Sequence, residues 1–194
     1  MKYICMEGTT IMDFATMMAT RKSCRAYQDK PVSREDLMKI IEAGHLTPSG
    51  CNAQPWKFIV VDEADTKAKL CDALVVENGM TGAPWRDQVP AFIMLCEQPA
   101  KVKPAVLAHY NDSQRFAQGD IGGAAMNMCH QAMELGLSTC MLGMNDQQKL
   151  EEYFGIPAGQ QVRIIIAVGY SAEKNPAPAK VRKPLEEVCS FNHW

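Results

Sequence analysis

The chain has 194 residues, 20 lysines and arginines against 22 aspartates and glutamates, and 47% hydrophobic residues. A formal charge of −2 offers no basic excess for a nucleic-acid backbone, and 22% charged residues without low-complexity tracts argue against disorder. No apolar run reaches the roughly 18 residues of a membrane span, so a membrane role is not expected. The opening residues MKYICMEGTTIM hold an early Glu7 and no long apolar run, so no signal peptide is read and a cytoplasmic location is expected.

Residues 1–11 read as an N-terminal extension, followed by a short helix from Met12 to Arg21. A clearer helix spans Ser33 to about Leu46. Ser33 and Asp36 form its N-terminal box, and Val32 is placed to staple onto Leu37. Lys57 to Asp62 (KFIVVD) has the length and composition of a strand, and Glu63 to Glu77 of a helix. Residues 78–90 form a Gly- and Pro-bearing loop before a second buried strand, Ala91 to Cys96. Residues 97–118, broken by Pro99 and Pro104, read as a mobile excursion in which only Val106 to Tyr110 looks helical.

Asp120 to Leu135 carries two apolar stripes. One is Ile121, Ala124, Ala125, Met128, Ala132 and Leu135; the other is Gly122, Met126, Cys129 and Met133. A helix apolar on two faces is buried on two faces, within the fold or against a second subunit. Gly136 is positioned to cap it. A third strand (Ser138 to Leu142), a helix (Gln147 to Phe154) and a fourth strand (Val162 to Val168) follow. The tail 171–194, with Pro176, Pro178 and Pro184, is expected to wrap the surface. The alternation predicts one α/β or α+β domain with a four- or five-stranded sheet.

Eight cysteines without a C-x-x-C pair and four histidines without ligand spacing predict reduced, mostly buried thiols and no metal site. No Rossmann fingerprint or P-loop is present. Three polar clusters stand out instead: R-K-S-C-R at 21–25, P-S-G-C-N-A-Q-P-W at 48–56, and K-V-R at 180–182. Each has a plain structural explanation. Arg21, Lys22 and Arg25 could meet a helix C-terminus, Pro48, Ser49, Gly50 and Asn52 could turn the chain, and Lys180 and Arg182 could be solvated.

Together they fit one ligand. Arg21, Ser23, Lys180 and Arg182 have the donors for a dianionic phosphate. Asn52 and Gln54 each offer a donor and an acceptor, as reading a uracil-like ring edge requires. Arg25 could then place positive charge at the pyrimidine end of that ring.

These motifs, with E-L-G-L-S-T-C-M-L-G at 134–143 and V-G-Y ahead of K-V-R, resemble the FMN-dependent nitroreductases over roughly residues 12–188. The resemblance implies an α+β fold with a central, mostly antiparallel sheet of four or five strands, flanked by helices, in an intertwined homodimer. It implies that Arg21, Lys22, Ser23, Arg25, Lys180 and Arg182 belong to the FMN site. Pro48, Ser49, Gly50, Asn52 and Gln54 would reach the flavin from the other subunit, and Met141, Leu142 and Gly143 would flank the ring. Tyr110 and Phe116 are candidates for the substrate-facing wall. NADH or NADPH would deliver hydride to flavin N5, and a small electron-poor acceptor such as a nitroaromatic or quinone would remove it in a ping-pong cycle. The cofactor carries that chemistry, so no side chain is nominated as a catalytic acid, base or nucleophile. Two alternatives stay open: a specialised desaturase- or dehalogenase-type flavoenzyme, and a non-catalytic FMN carrier or sensor.

Overall fold

The computed structural model describes residues 13–76, 79–173 and 179–194. The expected extension over 1–11 lies outside the described residues. Helix α1 (Phe14–Thr20) begins where the Asp13 carboxylate accepts the Thr16 amide at 3.0 Å. Helix α2 (Arg34–His45) begins at Ser33, whose Oγ accepts the Asp36 amide at 3.0 Å and donates to the Asp36 carboxylate at 2.8 Å. Val32 and Leu37 are both buried beside it, as the staple requires.

Four strands form the sheet: β1 (Trp56–Val61), β2 (Ala91–Glu97), β3 (Ser138–Leu142) and β4 (Val162–Gly169). Their order is β1-β2-β4-β3, and all three pairings are antiparallel. Every residue of β2 is buried, as its continuous apolar run predicts for a central strand covered on both faces. Side chains alternate between those faces. Phe92, Met94 and Cys96 join a cluster with Leu70, Leu74 and Leu150 from the side of α3 (Ala64–Ala73) and α6 (Gln147–Phe154). Ala91, Ile93 and Leu95 meet Leu37 and Ile40 of α2 and the long helix α5 (Ala117–Glu134). The architecture is therefore α+β, with helices on both faces of an antiparallel sheet.

Helix α3 ends at Ala73, earlier than the predicted Glu77. Leu74 turns into the core, and the Asp146 amide takes the Ala73 carbonyl at 2.7 Å, closing the helix end. The 97–118 excursion contains helix α4 (Pro104–Tyr110), and its base is hydrogen-bonded rather than loose. Gln114 donates to Glu97 at 2.6 Å and to the Gln98 carbonyl at 3.1 Å, and accepts the Ala100 amide at 2.5 Å. A register shift in β4 opposite Leu95 and Cys96 inserts Arg163 as an extra residue, and its guanidinium donates to Glu97. In the tail, α7 (Leu185–Val188) is short and exposed.

Of the two stripes predicted on α5, the first is buried against the sheet. In the second, Cys129 is also buried in the core, whereas Met126 is exposed and the backbone at Gly122 is open, with nothing within 4 Å of a built Cβ. Seven described cysteines are free thiols, and five of them are buried. Burial pushes both Cys71 and Cys96 up to about 11. No helix among the described residues is long and apolar enough to cross a membrane.

Gly169 closes β4 where a Cβ would stand 2.6 Å from Pro90 Cγ and 2.8 Å from the Tyr27 ring. Neither ring can fold away as a flexible chain could. Gly169→Ala is expected to destabilise the protein by about 1–3 kcal/mol through overpacking. Urea unfolding checks it through a lower midpoint at unchanged slope.

Candidate functional site

The segment after α1 runs between two strands. The Cys24 amide donates to the Thr139 carbonyl at 2.9 Å, and Ser23 and Thr139 form a parallel bridge at the β3 edge. Four residues beyond Ser23, Tyr27 bridges Ser171 beyond β4, supported by Ala172 N–H to Ala26 O and Gln28 N–H to Tyr170 O, both at 2.9 Å. The buried Tyr27 hydroxyl donates to the Cys24 carbonyl at 3.1 Å, and burial holds it far above its ordinary range. Residues 23–28 are thus held on both sides by backbone pairing.

The fold brings the first and third predicted clusters together. Arg21, Lys22, Ser23 and Arg25 line one cavity of about 500 Å³ with Lys180 and Arg182. Lys180 Nζ donates to the Met18 carbonyl, and one Arg182 Nη to the Val181 carbonyl at 2.7 Å. Five cations and a hydroxyl around one space fit a dianionic phosphate group. The cavity also holds Glu173, which the sequence reading missed. Its carboxylate pairs with Lys22 Nζ at 2.5 Å and accepts the Arg25 amide at 3.0 Å. The Lys22 hydrogen bond and the Arg25 amide hold the Glu173 carboxyl below its usual range. Its partners lie about 150 positions away, so no local pattern marks it.

Strand β3 supplies the next wall. Thr139 is buried, and its Oγ1 has no hydrogen-bond partner among the described residues. Burial pushes the neighbouring Cys140 thiol up, against the opposing Arg25 charge and a hydrogen bond with Ser23. Met141 is half-buried and Leu142 buried, whereas Gly143 is exposed with open space where a side chain would stand. The predicted trio therefore passes from core to surface in three residues.

The second cluster forms a tight loop between α2 and β1. Ser49 Oγ accepts the Gln54 amide at 2.9 Å, and the Ser49 carbonyl accepts the Asn52 amide at 2.9 Å. Cys51, Asn52 and Gln54 all take positive φ (56°, 54° and 46°), which costs of order 1 kcal/mol or more at each non-glycine residue. The exposed Asn52 and Gln54 side chains meet at 3.3 Å. Pro48 is exposed and precedes the turn.

Gly50 ties this loop to α5. Its amide donates to Asp120 at 3.0 Å, and a Cβ there would lie 2.8 Å from the Phe116 ring. Phe116 and Tyr110 meet edge to face at 5.8 Å, and Arg115 stands 5.0 Å from the Tyr110 centroid. The two wall candidates are consequently adjacent, and Phe116 rests directly on the loop.

The structure does not bring the loop and the cationic cavity together on one chain. The loop is fixed at Asp120, near the start of α5. Lys22 and Thr20 share a smaller cavity with Met133 and Gly136, at its end. Asp120 to Met133 spans about 20 Å of helix at 1.5 Å per residue. Trp56, beside the loop, is a core residue stacked 6.0 Å from Phe58. Among the described residues no group of His, Cys, Asp and Glu is arranged to hold a metal ion.

The nitroreductase family profile matches residues 18–170. An Archaeoglobus fulgidus relative, whose name pairs NADH dehydrogenase with NAD(P)H nitroreductase, is 31% identical over 81% of this chain and 85% of its own. The FMN reductase [NAD(P)H] of Bacillus subtilis is 28% identical over 88% of this chain and 70% of its own. Among solved structures, a nitroreductase family protein from Clostridium difficile superposes with a TM-score of 0.78 at 26% identity. It covers 94% of this chain and 100% of its own. The chain belongs to the nitroreductase family.

Proposed function

We propose that the protein is an FMN-dependent NAD(P)H oxidoreductase that reduces planar, electron-poor acceptors such as nitroaromatics or quinones. The carrying observation is the cavity that collects Arg21, Ser23, Arg25, Lys180 and Arg182 from opposite ends of the chain. When bound, FMN supplies hydride uptake from NADH or NADPH and delivery to the acceptor. Arg21, Ser23, Lys180 and Arg182 hold the phosphate. Arg25 sets positive charge beside the pyrimidine edge. Asn52 and Gln54 read that polar edge, and Met141 to Gly143 bound the ring while leaving backbone accessible at Gly143. Tyr110 and Phe116 form the acceptor's wall. No residue of the chain need transfer a proton from its side chain.

The separation of the two half-sites favours a homodimer. A second copy running antiparallel along α5 would bring the loop end of one chain against the cationic end of the other. Exposed apolar side chains lie on the elements such a packing would use: Phe14 and Met18 on α1, Met38 on α2 and Met126 on α5. In the tail, Val181, Leu185, Val188 and Phe191 are 63–91% exposed. An apolar tail this uncovered fits a partner's surface better than solvent.

Three outcomes are expected. Purified protein should show a visible flavin absorption that bleaches under anaerobic NADH or NADPH and returns with repeated turnovers on a quinone. A protein that stays colourless and takes up no FMN would refute the reading, and reduction without turnover would leave a carrier. Arg21→Ala or Arg182→Ala should weaken FMN binding by about 1.5–3 kcal/mol, the worth of a charge-assisted contact, as read by titrating the apoprotein. Met126→Glu should shift the protein to monomer in light scattering and release FMN, since an unpaired charge buried at an interface costs several kcal/mol. Monomers that retain FMN would overturn the shared site.

A further inference from the structure

The cationic cavity contains its own anion. Of the charged residues lining it among the described ones, five are basic and only Glu173 is acidic. Both Glu173 oxygens are engaged, one with the Lys22 ammonium at 2.5 Å and the other with the Arg25 amide at 3.0 Å. These are the donor types that bind phosphate. The carboxylate is also fixed from behind, because the Glu173 amide donates to Ser171 Oγ at 3.1 Å and the adjacent Ala172 pairs with Ala26. The Lys22 and Glu173 side chains retain only 28% and 25% exposure, so solvent screens the pair less than an open surface pair.

Resting on the FMN reading above, we propose that Glu173 is a built-in counter-anion. It neutralises Lys22 and steadies the empty cavity, and it weakens the grip on the FMN phosphate by like-charge repulsion. A carboxylate held below its usual range stays ionised at neutral pH, so the repulsion persists when the ligand arrives. Lys22 then acts through Glu173, and the direct phosphate contacts fall to Arg21, Ser23, Lys180 and Arg182. The alternative is a structural clip that fastens the 21–25 segment to the end of β4.

The two roles predict opposite signs. Glu173→Gln keeps the size and the carbonyl oxygen that accepts the Arg25 amide, and removes the charge. Titrating full-length apoprotein with FMN by fluorescence quenching should show binding about tenfold tighter than wild type. Riboflavin, with the same ring and no phosphate, should bind unchanged. The apoprotein's Tm should fall by about 2–4 °C as the counter-charge is lost. A clip would lower Tm and FMN affinity together, and that result overturns the proposal, as does tightening that riboflavin shares.

Lys22→Met supplies the second arm. It takes the ammonium partner from Glu173 and should weaken FMN binding about tenfold, while the double variant K22M/E173Q, with no carboxylate left for Lys22 to offset, should bind as tightly as E173Q. A double variant about tenfold weaker than E173Q would show that Lys22 grips the phosphate independently of Glu173, and would overturn the assignment. Wild-type protein that takes up no FMN overturns the functional reading and this inference with it. FMN uptake indifferent to Glu173→Gln overturns this inference alone.

Discussion

The burial of α5 against the central strands is the constraint on which the rest depends. Ala124, Ala125 and Ala132 are fully covered, and their small side chains let the helix lie close to Ile93, Leu95, Ile166 and Val168. Met128, also fully buried, fills the gap toward α2, where Gly44 leaves it room. A helix fixed along its length fixes whatever is attached to its ends. At one end Asp120 holds the Gly50 amide. At the other, Gly136 takes φ +73° and the Leu137 amide returns to Ala132 O at 2.8 Å, so the chain turns directly into β3 and its contact with Ser23. The distance between the loop and the cationic cavity is therefore a property of the core rather than of the loops.

Gathering five cations around one cavity works against folding, because like charges repel and desolvate one another. Backbone pairing overcomes this cost. Residues 23–28 are stitched to Thr139 on one side and to Tyr170 through Ala172 on the other, and none of these bonds depends on the charged side chains. Glu173 then offsets one of the charges. The strained loop follows the same logic. Left-handed Cys51, Asn52 and Gln54 persist because Ser49 Oγ, Asp120 and Phe116 hold the turn from three directions.

Local signals made much of the fold legible. The Ser33 and Asp36 box places α2 within a residue of its observed start, and the predicted Gln147 to Phe154 matches α6 at both ends, which opens where Asp146 accepts the Lys149 amide at 3.2 Å. Features set by distant contacts were not legible. Helix α5 begins at Ala117 after Phe116, which offers no capping side chain, so nothing in the sequence announces its first turn. Helix α3 stops because Leu74 is pulled into the core, not because a breaker follows it. The R-K-S-C-R and K-V-R clusters were visible as charges, and the fold brings them to one cavity. Glu173 was not, since an acid four residues beyond the end of β4 looks solvated until its partners are folded onto it.

The 97–118 segment is anchored at both ends and independent of the sheet between them. Its base is locked by Gln114 onto Glu97 and Gln98 and, through Glu97, to Arg163 at the register shift in β4. Glu97 is buried, and its carboxylate stays satisfied because donors reach both oxygens. Beyond that anchor the segment is exposed through α4 until Phe116 returns it to Gly50. A stretch held at both ends and solvated between them can change its side chains without disturbing the sheet or the cationic cavity. Tyr110, Arg115 and Phe116 lie at the return end, beside the loop that would read the flavin edge. Under the proposed function, substitution there would alter which acceptors stack in the site, and the cationic cavity, held by separate contacts, would keep its grip on the phosphate.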